Sequence, residues 1–174
     1  MATTFEITGL KETLQLFQDL ENEIGDKTAR SKVLIPSVRE AMKPVLAMAK
    51  SLSPKDTGLL ERTLTIVARR PTRNDKKSKY INQGDSVVAI VTTKPIPKKL
   101  RQQTAGMTRS EKQKVYASKN SLYDARAVAN EFGTAKMTAQ PFMRVSLESQ
   151  SPMVATKLGE ILNQNILKYR SKSL

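Results

Sequence analysis

Hydrophobic and polar positions mark out helices over most of this chain and strands in three short stretches. Phe5-Glu6-Ile7-Thr8 alternates apolar and polar, which predicts a short strand that Gly9 ends. Leu10, Leu14, Phe17, Leu20 and Ile24 recur at helical spacing up to Gly25, giving an amphipathic helix with an acidic outer face of Glu12, Asp19, Glu21 and Glu23. A second helix is predicted from about Asp26 to Leu52, with a stripe of Leu34, Val38, Met42, Val45 or Leu46, and Ala49. Pro36 and Pro44 fall inside it, so it should be bent, or broken near Pro36. Pro54 disfavours helix at Ser53 and stops it there.

Leu64, Ile66 and Ala68 alternate with Thr63, Thr65 and Val67, a strand. Val87-Val88-Ala89-Ile90-Val91 reads as its partner, apolar enough to be buried on both faces, with Gln83-Gly84-Asp85 as the turn before it. Thr108-Arg109-Ser110-Glu111 fits a capping box and predicts a helix to about Ser118. Asp124 can cap a helix carrying Leu122, Ala125, Val128 and Phe132, with Gly133 as its left-handed stop. Pro141 and Pro152 each sit where a helix could begin. The second, with Ser151 as N-cap, would carry Met153, Leu158, Ile161, Leu162, Ile166 and Tyr169 to an end near Arg170, with a frayed tail beyond. The pattern is that of an α+β protein: a small antiparallel sheet packed against a long helix, with helical N- and C-terminal flanks. A length of 174 residues suits one domain over 1–174.

Charge changes the picture. The net charge is +14, and residues 62–119 alone hold 15 basic and 3 acidic side chains, whereas residues 1–61 are close to neutral with 8 and 9. The excess lies in two extended basic loops, one at 69–82 and an insertion at 94–121. Arg69, Arg70, Arg73, Lys76, Lys77 and Lys79 crowd the first; Lys98, Lys99 and Arg101 open the second. Clustered cations on a near-neutral scaffold imply an anionic partner. Tyr80 and Tyr116 are the only aromatics of this region, too few to stack the bases of a single strand. That leaves sequence-independent contact with double-stranded DNA phosphates, or with acidic faces of neighbouring subunits, the acidic first helix of another copy among them.

Catalysis finds little support. With no Cys and no His, disulfides, Cys/His zinc sites and His-dependent mechanisms are excluded. No phosphate-binding Gly-rich loop and no Gly-x-Ser-x-Gly elbow occurs. Asp56-Thr57-Gly58 matches the tripeptide of aspartic proteases, but that chemistry needs two carboxylates in turns between buried strands. Here the tripeptide is single, and polar Ser53-Pro54-Lys55 precedes it. It reads as a turn in which Gly58 takes an unusual backbone angle and Leu59 and Leu60 re-enter the core. No enzymatic activity and no cofactor are expected. No apolar run approaches the length of a membrane span, and the N-terminus lacks signal-peptide features, so an intracellular setting is expected.

Three stretches, taken in order, carry a resemblance. They are Ile7-Thr8-Gly9-Leu10-Lys11; Ala41-Met42-Lys43-Pro44-Val45-Leu46, continuing through Ala49-Lys50 to Ser53-Pro54-Lys55-Asp56-Thr57-Gly58-Leu59-Leu60; and Glu131-Phe132-Gly133-Thr134 followed by Ala139-Gln140-Pro141-Phe142-Met143-Arg144. Together, over 5–68 and 122–150, they resemble the head–tail joining family of long-tailed bacteriophages, the small neck or tail-completion proteins. Val145 stands where that family commonly has proline, and the 94–121 insertion is longer than the usual connection. The resemblance implies a structural virion protein, assembled in the host cytoplasm, that forms a ring (a hexamer) at the head–tail junction. It would bind itself and neighbouring neck, adaptor and tail-terminator rings, and line or seal the DNA channel. The alternative is a non-specific double-stranded DNA-binding protein outside a virion. The resemblance also makes Asp56, Thr57 and Gly58 the turn from the long helix to the first main strand. Glu131, Phe132, Gly133 and Thr134 become a helix stop, and Pro141, Phe142 and Arg144 a helix start, holding Phe132 and Phe142 in the core.

Overall fold

A computed structural model describes residues 10–55, 58–94, 96–119 and 124–173. The strand expected at 5–8, Asp56, Thr57 and Leu122 lie outside these residues. The described residues are 66% helical, with a small two-stranded antiparallel sheet and a long C-terminal helix, a small α+β fold. The helices are α1 (Leu10–Ile24), α2 (Asp26–Ala29), α3 (Ile35–Ala41), α4 (Lys43–Leu52), α5 (Leu59–Thr63), α6 (Lys98–Gln103), α7 (Arg109–Ser118), α8 (Asp124–Phe132) and α9 (Met143–Ser173). Strands β1 (Leu64–Arg69) and β2 (Val88–Thr93) pair with each other, and Lys94 N–H donates to Thr63 O at 2.7 Å beyond the end of the ladder.

The long second helix is interrupted as its prolines demand. Arg30–Leu34 forms a π-helical turn between α2 and α3, just ahead of Pro36. Pro36 has no N–H to offer, and its ring crowds the carbonyl four residues back; a wider turn relieves both. A second break falls at Met42 (φ −80°, ψ −3°), two residues before Pro44. The π turn also shifts the buried face. Ala29, Val33, Ser37 and Ala41 are buried, while the expected Leu34 and Val38 are only half-buried.

The chain gathers into two compact units, one of Met1–Pro44, Ile66–Ile90 and Gln150–Leu174, the other of Val45–Thr65 and Val91–Ser149. The first packs Phe17 and Leu20 of α1 and Ala29 and Val33 against Leu162 and Ile166 of α9. Leu14, expected on this face, is 50% exposed; Thr13 is buried in its place. Ser37 Oγ donates to Val33 O at 2.7 Å and accepts from Asn165 Nδ2 at 2.9 Å, a buried polar tie between α3 and α9.

The second unit packs Ala49 of α4, Leu59 and Leu60 of α5, Leu64 of β1, Ala127 of α8 and Phe142 into one cluster, with Leu46, Val91, Ala117 and Met143 against it. Leu59 and Leu60 enter the core as expected, but through the short helix α5, which separates the turn at Gly58 from β1. β2 is not buried on both faces: its residues are mostly half-buried and Ile90 is exposed. Pro152 does not begin a helix. It lies inside the 31-residue α9, on an exposed side where water can take the freed carbonyl.

Candidate nucleic-acid interface

The first basic segment is a loop with one 3₁₀ turn, as expected, whereas the described part of the second is largely helical. The first folds around one carboxylate. Arg69, at the end of β1, donates Nη1 to Asp75 Oδ2 at 2.5 Å and Nη2 to Oδ1 at 3.1 Å. Thr72 gives Asp75 both its N–H and its hydroxyl, each at 2.6 Å. Asp75 in turn opens a 3₁₀ turn, Asp75–Lys77. The bidentate Arg69 contact first, then the Thr72 hydroxyl and N–H, hold the Asp75 carboxyl well below the usual carboxylate range. Arg69 is therefore engaged within the protein. Arg70, Arg73, Lys77 and Lys79 are exposed around this knot, and Lys79 Nζ sits 5.0 Å from the ring centre of Tyr80. Lys76 is half-buried and donates Nζ to Gln83 O at 2.6 Å.

The insertion folds into the helices α6 and α7. The capping box at Thr108 and Glu111 is present as the sequence predicts, and Glu111, bonded first by the Thr108 N–H and then by its hydroxyl, has its carboxyl lowered. Between the helices, Thr104 Oγ1 and the Tyr116 hydroxyl lie 2.7 Å apart, both buried. Tyr116 is thus a core residue of the insertion. Lys98, Lys99 and Arg101 are exposed on α6, with Lys98 and Arg101 one turn apart. The proposed contacts thus form two cationic surfaces, the knot at 69–79 in the first unit and α6 in the second.

The turn residues assemble into a single clasp. α8 ends at Phe132, and Gly133 takes φ 75°. A Cβ there would lie 2.9 Å from Ala139 N and from Met137 O, so only glycine fits. Thr134 and Met137 pair as an isolated antiparallel bridge, and Gln140 N–H returns to Asn130 O at 2.7 Å. This hairpin aims the first turn of α9 at Glu131. Its buried carboxylate accepts the N–H of Phe142 and of Met143 at 2.9 Å and that of Arg144 at 3.0 Å, together with Arg144 Nε at 2.9 Å. Arg144 Nη2 also donates to Glu131 O at 3.0 Å. Burial alone would raise the Glu131 pKa; the N–H groups of Met143, Phe142 and Arg144 and the guanidinium outweigh it and hold it low.

Phe142 is buried in the clasp, 1% exposed, as expected. Phe132 is not a core residue: it is 64% exposed, and the Arg144 guanidinium lies 4.8 Å from its ring centre. Gly58 takes the left-handed conformation (φ 64°) ahead of α5, while Asp56 and Thr57, the rest of the protease-like tripeptide, lie outside the described residues. Among the described residues no cluster of acidic side chains could hold a metal ion, and no helix is long and apolar enough to cross a membrane. Comparison with known proteins returns no match to a family model, to a curated protein or to a solved structure.

Proposed function

We propose that this chain is a structural virion protein of the head–tail joining kind, forming a ring where phage head meets tail. The observation that carries the reading is the clasp. Glu131–Thr134 and Ala139–Arg144, the two parts of the most compact stretch of the resemblance, form one hydrogen-bonded unit that starts α9. Residues chosen for architecture and not for chemistry would be arranged in this way. The α+β fold agrees with it. Exposed cations on the 69–79 knot and on α6 would face duplex DNA in the channel or acidic faces of adjacent rings, without reading sequence, so that the genome can slide.

Mass photometry of the purified protein, alone and with its neighbouring proteins, tests this. A ring component gives large cyclic species, or assembles only with its partners, and holds naked DNA weakly. A monomer or dimer that retards duplex DNA strongly, with affinity falling steeply as salt rises, would mean a free DNA-binding protein instead.

A further inference from the structure

In the second unit, Phe132 presents an exposed ring with the Arg144 guanidinium 4.8 Å from its centre. Val128 lies one turn before Phe132 on α8, and Leu147 lies one turn after Arg144 on α9; both are exposed. Glu131 occupies only one edge of that guanidinium, its carboxylate taking Nε and its carbonyl taking Nη2. Nη1 has no partner among the described residues and Nη2 keeps a second N–H, so the end-on edge is open on a side chain that is 54% exposed. An arginine already held by a carboxylate and stacked on a ring loses little freedom when it binds. Exposed aromatic rings and arginines are also the side chains that most often anchor protein–protein contacts.

Such an anchor needs a carboxylate, and few in this chain are unclaimed. Glu23, Asp26, Glu40, Asp75, Asp85 and Glu111 each hold a cation or an N–H, and Glu131 is used in the clasp. Glu12 and Asp19 of α1, in the first unit, are exposed and bonded to no described residue. They lie two turns apart on one stripe of the helix, with half-buried Leu16 between them. Glu160 of α9 is exposed as well, but alone. The two surfaces are complementary: a cation beside apolar side chains on one, two carboxylates beside an apolar side chain on the other. The cations of α6 fit the stripe less well. No large apolar side chain of α6 is exposed beside them, and exposed ion pairs alone add little.

We propose that the Phe132–Arg144 pair is an interface anchor that receives the Glu12–Asp19 stripe of α1 from a second copy of this chain. Arg144 grips a carboxylate end-on while Phe132 and Val128 pack beside Leu16. The contact joins two different surfaces, so it repeats from copy to copy until rotation closes it. The inference rests on the ring reading, to which it adds the contact between subunits.

Sedimentation velocity over a concentration series tests it, with the wild-type chain, Phe132→Ser, and the double variant Glu12→Lys with Asp19→Lys. All three positions are exposed and outside the bonds of the clasp, and matching thermal melts confirm that the variants fold. The wild type should form species larger than a dimer, and each variant alone should associate at least about tenfold more weakly. Each variant keeps one of the two surfaces intact, so an equal mixture should form dimers and stop there. Self-association of the α1 variant alone would mean that Phe132 meets its own copy, and would overturn the proposal. Large species from Phe132→Ser would overturn it too, while leaving the ring reading intact. A wild type that stays monomeric alone removes this contact; rings that then appear with the neighbouring proteins keep the ring reading, and their absence removes both.

Discussion

Glu131 and Arg144 hold each other three times over: Glu131 Oε1 accepts both the N–H and the Nε of Arg144, and Arg144 Nη2 reaches back to Glu131 O at 3.0 Å. A carboxylate at the end of one helix thereby caps the start of the next, where the first N–H groups lack partners and the helix dipole favours negative charge. Glu131→Ala orphans these donors beside the buried Phe142 and should destabilise the protein by about 2–3 kcal/mol. Glu131→Gln keeps one acceptor and should cost less. Chemical denaturation of the two variants, with unchanged m-values, checks this ordering.

The same carboxylate sets an acid limit. Its folded pKa lies below the unfolded value, so its contribution is complete above the unfolded value of about 4.3 and is lost as pH falls through the lower folded value. Stability against urea should therefore decline below about pH 4 more steeply in the wild type than in Glu131→Gln. Parallel curves for the two would show that Glu131 is not the titrating group.

Gly133 and Gly58 both have positive φ, but their surroundings differ. A Cβ at Gly133 meets backbone atoms at 2.9 Å, whereas at Gly58 nothing lies within 4 Å. Gly133→Ala should cost about 3 kcal/mol, from strain and clash together, and Gly58→Ala about 1–2 kcal/mol, from strain alone. Thermal unfolding of the two variants measures the difference; equal losses would mean that the hairpin after α8 gives way freely.

How much of this was legible in the sequence differs from element to element. The capping box at Thr108, the ends of α1 and α4, and the glycine stop at Gly133 depend on neighbours within a few residues, and they appear where the pattern puts them. The π turn shifted the buried face of the second helix because a proline's effect on helical phase depends on where the strain is absorbed. Pro152 does not open a helix because a helix with an exposed side tolerates a proline there. The Glu131 clasp joins residues 11 to 13 positions apart, beyond any local rule, and Phe132 looked like core only because its spacing on α8 is apolar. Of the basic residues, charge density showed the region but not that Asp75 would claim Arg69, nor that Lys98–Gln103 would fold as α6.

The Asp75 knot gives a test of the cationic surface. Asp75→Asn removes the charge that holds Arg69 and Thr72, so trypsin should cut faster around Arg69–Arg73. The freed cation should also make duplex binding stronger and its salt dependence steeper by about one phosphate contact. By contrast, neutralising Lys98, Lys99 and Arg101 together should make the salt dependence shallower by up to three contacts without changing stability. Filter binding across a salt series reads both slopes, and unchanged slopes would remove these residues from the interface.

The proposed role at the head–tail junction is tested most directly by imaging particles assembled with and without this chain. Without it, full heads and finished tails should accumulate side by side, unjoined, and adding the purified protein should join them. Intact particles formed in its absence, with their genomes retained, would contradict the account.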